Sequence, residues 1–217
     1  MAGMWLGLIA FLLKINVMDN YNKIRGILNF DDPDSFYYLQ ILKRRKDNPD
    51  LSKDMIPLVD LIIDSMEKFD FLESMVKSIC NSENARAYLR INRRSKKRTA
   101  NETLILLTGY VISGEYNAAK SAYVSACGRN HSDKDKKWII DVDWEDIPAG
   151  IEHTVYVEDM IAKIKELLGE AKREPSVIRI PTKNGVHLIT RPFRLDKFQE
   201  YYKETVHKDN PTLLYCK

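Results

Sequence analysis

The feature that most constrains this fold is a hairpin signal late in the sequence. Asn184 and Gly185 form a strong turn dipeptide, and apolar runs typical of strands flank it over residues 176–180 and 186–189. The pattern predicts two antiparallel strands joined by a polar, basic tip, with His187 just inside the second strand. Either the hairpin positions this imidazole for a function, or it is a surface turn with an incidental histidine.

A second pattern is the sequence WIIDVDWED, an apolar strand that runs into four carboxylates. Residues two apart in a strand point to the same face, so Asp141 and Asp143 would lie roughly 7 Å apart while Ile140 and Val142 face a core. Two such carboxylates repel each other unless a cation neutralises them, and Mg²⁺ or Mn²⁺ held in this way serves phosphoryl transfer. An acidic strand end on the surface and a phosphohydrolase with a nucleophilic aspartate are the alternatives.

A basic segment lies upstream, where residues 82–100 contain seven Lys or Arg residues and one acid. Within it the sequence RAYLRIN alternates, which predicts a strand with Ala87, Leu89 and Ile91 buried and a wet, basic face opposite. A basic block and an acidic block in one domain suit a polyanion and its accompanying metal ions. A solvated face without function is the alternative.

The first third of the chain predicts helices. Asp32 or Asp34 can cap a helix through SFYYLQILKRRK, and the spacing of apolar residues predicts a second helix from Ser52 to about Cys80. Further along we expect helices over residues 100–113, 117–127, 157–168 and 195–202, and a last strand over 212–215. The fold class is therefore α+β, with a helical N-terminal region at residues 1–84 and a mixed α/β sheet domain at residues 85–217.

Three cysteines, odd in number and far apart in sequence, argue against a disulfide framework and favour a reducing cytoplasm. Cys127 and His131 have a spacing that could begin a zinc site, although no second ligand pair accompanies them. The membrane-like segment at residues 4–13 is far shorter than the ~20 residues needed to span a bilayer, and it makes a poor signal peptide. We therefore expect a cytoplasmic protein without stable membrane association.

Taken together, three segments in order resemble motifs of the archaeo-eukaryotic primase superfamily, in particular the primase-polymerase domains of phages and plasmids. RAYLRINRRS resembles the family's early strand, and WIIDVD resembles its first catalytic motif. EPSVIRIPTKNGVHLIT resembles its second, with Thr182 where the family usually has serine and Val186 in place of an aromatic residue. Gly185 and His187 keep the family's glycine and histidine.

The resemblance implies an RRM-like catalytic core and a metal-dependent nucleotidyltransferase that synthesises or extends nucleic acid on a template in DNA replication. Asp141, Asp143 and His187 would be catalytic, with Mg²⁺ or Mn²⁺ on the carboxylates. The expected partners are nucleoside triphosphates, a single-stranded template, and a helicase or other replication protein. Nucleotide binding would involve Thr182, Lys183, Gly185, His187 and Arg191, and nucleic-acid binding would involve Arg86, Arg90, Arg93 and Arg94.

The family's third motif, an apolar residue followed by aspartate on a later strand, has no clear counterpart in this chain. Asp209 is the expected third metal carboxylate, although it precedes the last strand, and Asp196 begins a helix. Glu145 or Asp146 could assist the metal pair instead. A catalytically degenerate, nucleic-acid-binding accessory module of replication is therefore the alternative to an enzyme.

Overall fold

The computed structural model describes residues 17–129, 135–169 and 177–217. The membrane-like segment at residues 4–13, His131 of the suggested zinc pair and Ser176 at the start of the predicted hairpin lie outside these ranges. Of the helices within them, none combines the length and the apolar character that a bilayer-crossing segment needs.

Two short elements, three long strands and one long helix begin the described chain. They are β1 (Met18–Asp19), α1 (Tyr21–Arg25), β2 (Ser35–Arg44), β3 (Met55–Ile63), α2 (Met66–Glu83) and β4 (Arg86–Ser95). A helical segment and the acidic strand follow, as α3 (Lys96–Ile112), α4 (Tyr116–Ala119), α5 (Ala122–Arg129), β5 (Trp138–Asp143) and α6 (His153–Leu168). The chain continues through β6 (Val177–Pro181), β7 (Gly185–Thr190), α7 (Leu195–Phe198), β8 (Thr205–His207) and β9 (Pro211–Cys216).

Within the described residues the strands form two sheets, and the paired strands in both sheets run antiparallel. The larger sheet has the order β1-β9-β4-β2-β3, and the smaller sheet has the order β6-β7-β5-β8. Antiparallel sheets with separate helices confirm the α+β class. The larger sheet contains β2 and β3 from before residue 84 and β4 and β9 from after it. Residues on both sides of the expected domain boundary at 84 and 85 therefore form one sheet.

The prediction of a helical N-terminal region was wrong for its first two long elements. The segment SFYYLQILKR is β2, and residues 55–63 of the second expected helix are β3; only Met66–Glu83 is helical. Strand β2 pairs with β3 on one side and β4 on the other, and its first five residues are all buried. A strand that is covered on both faces shows a continuous apolar run rather than an alternation, and such a run cannot be told from a buried helix by periodicity.

The later elements agree better with the sequence. The strand WIIDVD, the hairpin and the last strand are present, as are helices near residues 100–113 and 157–168. The helix predicted over residues 117–127 is two short helices, α4 and α5, and α5 continues to Arg129. In β4, Ala87, Leu89 and Ile91 are buried while the residues between them are partly exposed, which confirms the predicted alternation.

Two large apolar cores hold the sheets, and a smaller cluster of Phe36, Tyr38 and Cys127 packs β2 against α5. The first packs α1 and α2 on the larger sheet, and Ile139, Ile180 and Ile189 of the smaller sheet join it. The second packs α6 and α7 on the far face of the smaller sheet, where it includes Ile140 and Val142. The smaller sheet is therefore apolar on both faces at one end, and its polar side chains gather at the other end.

The central position of β2 gives a test of the strand assignment. Leu39 is fully buried in β2, whereas Leu58 in the edge strand β3 is 37% exposed. We expect Leu39→Ala to lower the free energy of unfolding by about 2–5 kcal/mol, because it removes buried methyl groups and leaves a cavity. Leu58→Ala is the matched control and should cost less than about 1 kcal/mol. Equal losses in urea denaturation would contradict the central placement of β2.

Candidate functional site

The acidic strand β5 presents its two aspartates to one face, as the sequence predicts. Ile140 and Val142 pack in the second core, so Asp141 and Asp143 project from the opposite face, which Ile139 shares. Both aspartates are partly exposed at the end of the strand. The strand therefore has an apolar part that fixes it in the sheet and a polar part that is free for chemistry.

His187 lies directly beside Asp141, because β5 and β7 pair with Asp141 opposite His187. The His187 Nε2 atom is 3.3 Å from Asp141 Oδ1, and Nδ1 is 2.9 Å from the hydroxyl of Thr212 in β9. The Thr212 residue is fully buried. The imidazole thus contacts a carboxylate of its own sheet through one nitrogen and the larger sheet through the other, and this fixes the ring plane.

A cleft of about 440 Å³ opens between the two sheets at this point. The smaller sheet and its hairpin line it with Asp141, Asp143, Thr182, Lys183, Asn184 and His187. The larger sheet and the loops that adjoin its strands line it with Gln40, Leu42, Arg44, Lys46, Met55, Arg86, Tyr88, Arg90, Asn210, Pro211 and Leu213. Its size falls within the ~300–1,000 Å³ that is usual for small-ligand sites.

The two aspartates differ in their electrostatic surroundings. The hydrogen bond with His187 lowers the pKa of Asp141, and the electrostatic influence of His187, His207 and Arg44 acts in the same direction. For Asp143, burial raises the pKa, and repulsion from Asp141 and the neighbouring carboxylates adds to the rise. The protein therefore already compensates the negative charge of Asp141, whereas the net effect of the surroundings on Asp143 disfavours its negative charge.

Gly185 begins β7 where this strand passes closest to β5. A Cβ atom on Gly185 would lie 2.0 Å from the backbone oxygen of Val142 and 3.0 Å from Asp143 Cα. No side chain fits at this position without moving one strand away from the other. The family resemblance implies that this glycine admits a triphosphate, but in the structure the close approach is to the neighbouring strand that presents the aspartates.

Two expected ligand-binding cations, Arg86 and Lys183, are both paired with one aspartate. Asp47, in the turn after β2, accepts hydrogen bonds from Arg86 Nε at 2.6 Å, Arg86 Nη2 at 2.9 Å and Lys183 Nζ at 2.9 Å. Burial alone would raise the pKa of Asp47, but the hydrogen bonds from Arg86 and Lys183 together outweigh it and lower that pKa to about 2. The structure therefore ties the hairpin tip to the larger sheet.

Arg93 and Arg94 are internal, contrary to the expectation that they contact nucleic acid. The guanidinium of Arg93 pairs with Asp31 and Asp135, and Arg94 is fully buried. Arg94 donates to the Cys127 backbone oxygen and, at 2.5 Å, to the carboxylate of Asp209. A buried guanidinium needs a counterion inside the protein, and acidic residues distant in sequence supply it.

The same contacts bear on Asp209, the expected third metal carboxylate. Its oxygens accept hydrogen bonds from Arg94 and Asn92 and lie 3.5 Å from Arg90 Nη1. Asp209 is not among the residues that line the cleft. The carboxylate is engaged by buried donors on the larger sheet, so the structure does not bring it together with Asp141 and Asp143.

The remaining expected site residues divide into two groups. Thr182 lies in the hairpin turn and lines the cleft, and Arg90 lines it from β4. Arg191 is exposed just beyond the end of β7 that is remote from the hairpin tip, and it is not part of the lining. The structure therefore brings Thr182 and Arg90, but not Arg191, to the carboxylates.

Sequence reasoning missed Arg44, Lys46, Tyr88 and Thr212. Arg44 and Lys46 were assigned to a helix, so nothing indicated that they face the acidic strand. In the structure they line the cleft opposite the aspartates, and Arg44 Nη1 donates to Tyr88 Oη at 3.3 Å. An alternating reading of SFYYLQILKR could have found Arg44, because Gln40, Leu42 and Arg44 then share one face. No local signal marks Thr212.

The fit of a divalent cation to this site can be judged from the donors. Asp141 and Asp143 offer oxygen atoms on one face, and oxygen is the ligand that Mg²⁺ and Mn²⁺ prefer. The repulsion that raises the pKa of Asp143 is what a bound cation would relieve. Within residues 17–129, 135–169 and 177–217, no cluster of three or more His, Cys, Asp or Glu side chains could hold a metal. The site therefore fits a cation that two protein carboxylates hold and that other ligands complete.

No protein-family model matches the chain, and neither the comparison with curated proteins nor that with solved structures gives a match. The functional assignment therefore depends on the geometry of the cleft and on the order of the motifs.

The close approach at Gly185 gives a specific test of the site. We expect Gly185→Ala to lower the free energy of unfolding by about 1–3 kcal/mol, because the new methyl group overlaps the Val142 carbonyl. Gly109→Ala is the control, since nothing lies within 4 Å of a Cβ there. In a helix this change should be neutral or stabilising by up to ~1 kcal/mol. If both variants melt like the parent, β5 and β7 are not as close as described.

The opposite pKa shifts of the two aspartates give a second test. At neutral pH the ionised Asp143 destabilises the fold, because its pKa is raised, whereas the ionised Asp141 stabilises it until the pH falls through its lowered pKa. In the absence of divalent cations we expect Asp143→Asn to raise the melting temperature and Asp141→Asn to lower it. Partial exposure limits each effect to about 1 kcal/mol, or ~2–4 °C.

Addition of Mn²⁺ extends this test to the cation site. The cation should raise the melting temperature of the parent more than that of either variant, since it binds the folded carboxylate pair. Shifts of the same sign in both variants, or equal stabilisation of all three proteins by Mn²⁺, would contradict the assignment.

Proposed function

We propose that the protein is a metal-dependent nucleotidyltransferase of primase-polymerase type, with an RRM-like catalytic core, that extends nucleic acid on a template during DNA replication. The observation that supports this most is the juxtaposition of Asp141, Asp143 and His187. All three line one side of a cleft whose opposite wall is basic. Carboxylates for metal ions, and donors for phosphates across from them, are what phosphoryl transfer requires.

Each side chain has a role that follows from its contacts. Asp141 and Asp143 would hold Mg²⁺ or Mn²⁺, which when bound would neutralise phosphate charge and polarise the reacting oxygens. The contact with Thr212 orients the His187 ring, and in the tautomer that carries its proton on Nε2 this atom can donate to a phosphate oxygen beside Asp141. The Thr182 hydroxyl in the hairpin turn supplies a second donor.

The expected partners follow from the same cleft. Nucleoside triphosphates fit its volume and its division into an acidic and a basic side. Arg90 on β4 is the remaining candidate for contact with a single-stranded template, since Arg93 and Arg94 are buried and Asp47 holds Arg86. A helicase or another replication protein would deliver that template.

One observation favours a second candidate function, a nucleic-acid-binding accessory module without transferase activity. Asp209 is engaged by Arg94, and among the described residues no third carboxylate joins Asp141 and Asp143 in the cleft lining. A site with two carboxylates holds metal ions less tightly than one with three. The accessory module would keep the basic wall of the cleft and bind nucleic acid without extending it.

A primer synthesis and extension assay on single-stranded DNA, with Mn²⁺ and Mg²⁺ in turn, separates the two candidates. We expect incorporation by the parent and a loss of at least ~100-fold in Asp141→Ala and Asp143→Ala, because each removes a metal ligand. Asp54→Ala is the control, since this carboxylate is 93% exposed and outside the cleft lining.

Two outcomes would count against the transferase. Incorporation that survives in the double alanine variant would exclude these carboxylates as its metal ligands. A parent that binds the single strand but incorporates nothing with either metal would favour the accessory module.

A further inference from the structure

Five cationic side chains line the cleft, and the protein neutralises them unequally. They are Arg44, Lys46, Arg86, Arg90 and Lys183. Because a phosphate competes with any carboxylate already bound to a cation, the cations that lack a carboxylate partner are the ones best able to bind it.

Arg86 and Lys183 share Asp47, whose side chain is only 7% exposed. The turn that presents Asp47 is itself fixed, because Asn84 Nδ2 donates to the Asp47 backbone oxygen at 2.8 Å. Arg86 contacts the carboxylate through two nitrogen atoms, in the geometry that makes arginine–carboxylate pairs strong. Removing either cation from Asp47 would therefore break a partly buried ion pair that is well oriented.

Arg90 is partly compensated. Its Nη1 donates to the Asp209 backbone oxygen at 2.7 Å, while the Asp209 carboxylate is closer to Arg94 than to Arg90, at 2.5 Å compared with 3.5 Å. Two guanidinium groups share this one carboxylate, which leaves a surplus of positive charge at the base of the cleft.

Arg44 and Lys46 have no carboxylate partner in the part of the chain that the structure describes. The Arg44 guanidinium makes one hydrogen bond to the described residues, which is to the hydroxyl of Tyr88. Lys46 is exposed and makes no hydrogen bond or ion pair with another described residue. Their positive charges act across the cleft, that of Arg44 on Asp141 and that of Lys46 on Asp143.

We infer that Arg44 and Lys46 form the phosphate-binding side of the cleft, where they take the phosphate chain of a nucleoside triphosphate, and that Asp47 holds Lys183 and Arg86 as a latch between the hairpin tip and the turn after β2. The choice of a nucleotide as the ligand rests on the proposed function; the anion site itself does not. A compact cleft of about 440 Å³ favours a nucleotide over a long single strand.

This assignment reverses the role that the sequence gives to Lys183. In the sequence Lys183 is the basic residue of the hairpin tip and the obvious phosphate ligand, whereas in the structure it closes one end of the cleft. The phosphate-binding cations come instead from the end of β2 and from the turn that follows it, on the opposite side of the cleft.

Calorimetric titration of the full chain with inorganic tripolyphosphate, in the absence of divalent cations, tests the anion site. We expect Arg44→Gln and Lys46→Gln each to weaken binding about tenfold, since each removes a charged donor. Lys183→Gln should give a smaller loss of about twofold. Arg45→Gln is the matched control, because this arginine lies between the two but outside the cleft lining and pairs with Asp54, and it should bind like the parent.

Two further variants separate an effect on binding from a fold defect and test the role of Asp47. Arg44→Lys keeps the charge and should recover most of the affinity if Arg44→Gln acts through binding, whereas a fold defect would appear in the melting temperature. Asp47→Asn removes the carboxylate that occupies Arg86 and Lys183, so it should tighten tripolyphosphate binding severalfold.

Several outcomes would overturn the inference. If Lys183→Gln weakened tripolyphosphate binding as much as Arg44→Gln does, the phosphate chain would bind at the hairpin tip instead. A parallel loss in Arg45→Gln would show a diffuse charge effect without a site. Losses confined to a titration with oligothymidine would make this wall a template surface, and a parent that does not bind tripolyphosphate would exclude the site.

Titration with a nucleoside triphosphate and the extension assay separate this inference from the proposed function. Tripolyphosphate binding that follows the expected pattern, in a protein that incorporates no nucleotide, would support the anion site and contradict the transferase.

Discussion

The arrangement of the whole site depends on the contacts that the His187 ring makes in two directions. Its Nδ1 atom meets the buried Thr212 hydroxyl of the larger sheet, and its Nε2 atom meets Asp141 of the smaller one. Asn20 adds a second link nearby, because its Nδ2 donates to the backbone oxygens of Pro181 and Leu213, at 2.9 and 3.0 Å. These buried polar contacts set the distance between the sheets, and the cleft is the space that this distance leaves.

Local patterns predicted the elements that depend on local causes. The apolar run with alternating aspartates predicted β5 and its faces, and the Asn184–Gly185 turn predicted the hairpin. Only the family resemblance implied that Asp141 and His187 share a site, because the pairing of β5 with β7 is not a local property. Strand β2 was missed because both its faces are covered, so its sequence does not alternate between apolar and polar residues. Arg44 was missed with it, since its place in the cleft depends on β2 pairing with a strand more than 40 residues later.

The basic segment shows a different limit, because its counterions are distant in sequence. Three arginines of one basic run look equivalent in the sequence, but the fold pairs each of them with a different distant aspartate. Arg86 pairs with Asp47, Arg93 with Asp31 and Arg94 with Asp209. A charge run predicts a nucleic-acid surface only if its charges remain exposed, and burial of Arg94 requires a carboxylate brought by the fold. The sequence therefore shows that the segment is basic, but it does not show which of its charges remain exposed to bind nucleic acid.

The separation of charge between the two sheets explains how such a site can exist in a stable protein. Asp141 and Asp143 lie on the smaller sheet, Arg44 ends β2 of the larger sheet and Lys46 lies in the turn after it, with the cleft between the two pairs. Direct contact would turn these groups into internal salt bridges, as has happened with Asp47 and Lys183. Since the cleft keeps them apart, each wall retains charge that no direct salt bridge compensates. Burial raises the pKa of Asp143, and repulsion from Asp141 and the neighbouring carboxylates adds to the rise. A complex of a divalent cation with a phosphate chain is complementary to both walls at once, because its cation meets the carboxylates and its oxygens meet the guanidinium and ammonium groups. Neither ion alone compensates both walls, so the proposed site would bind the pair more tightly than either component.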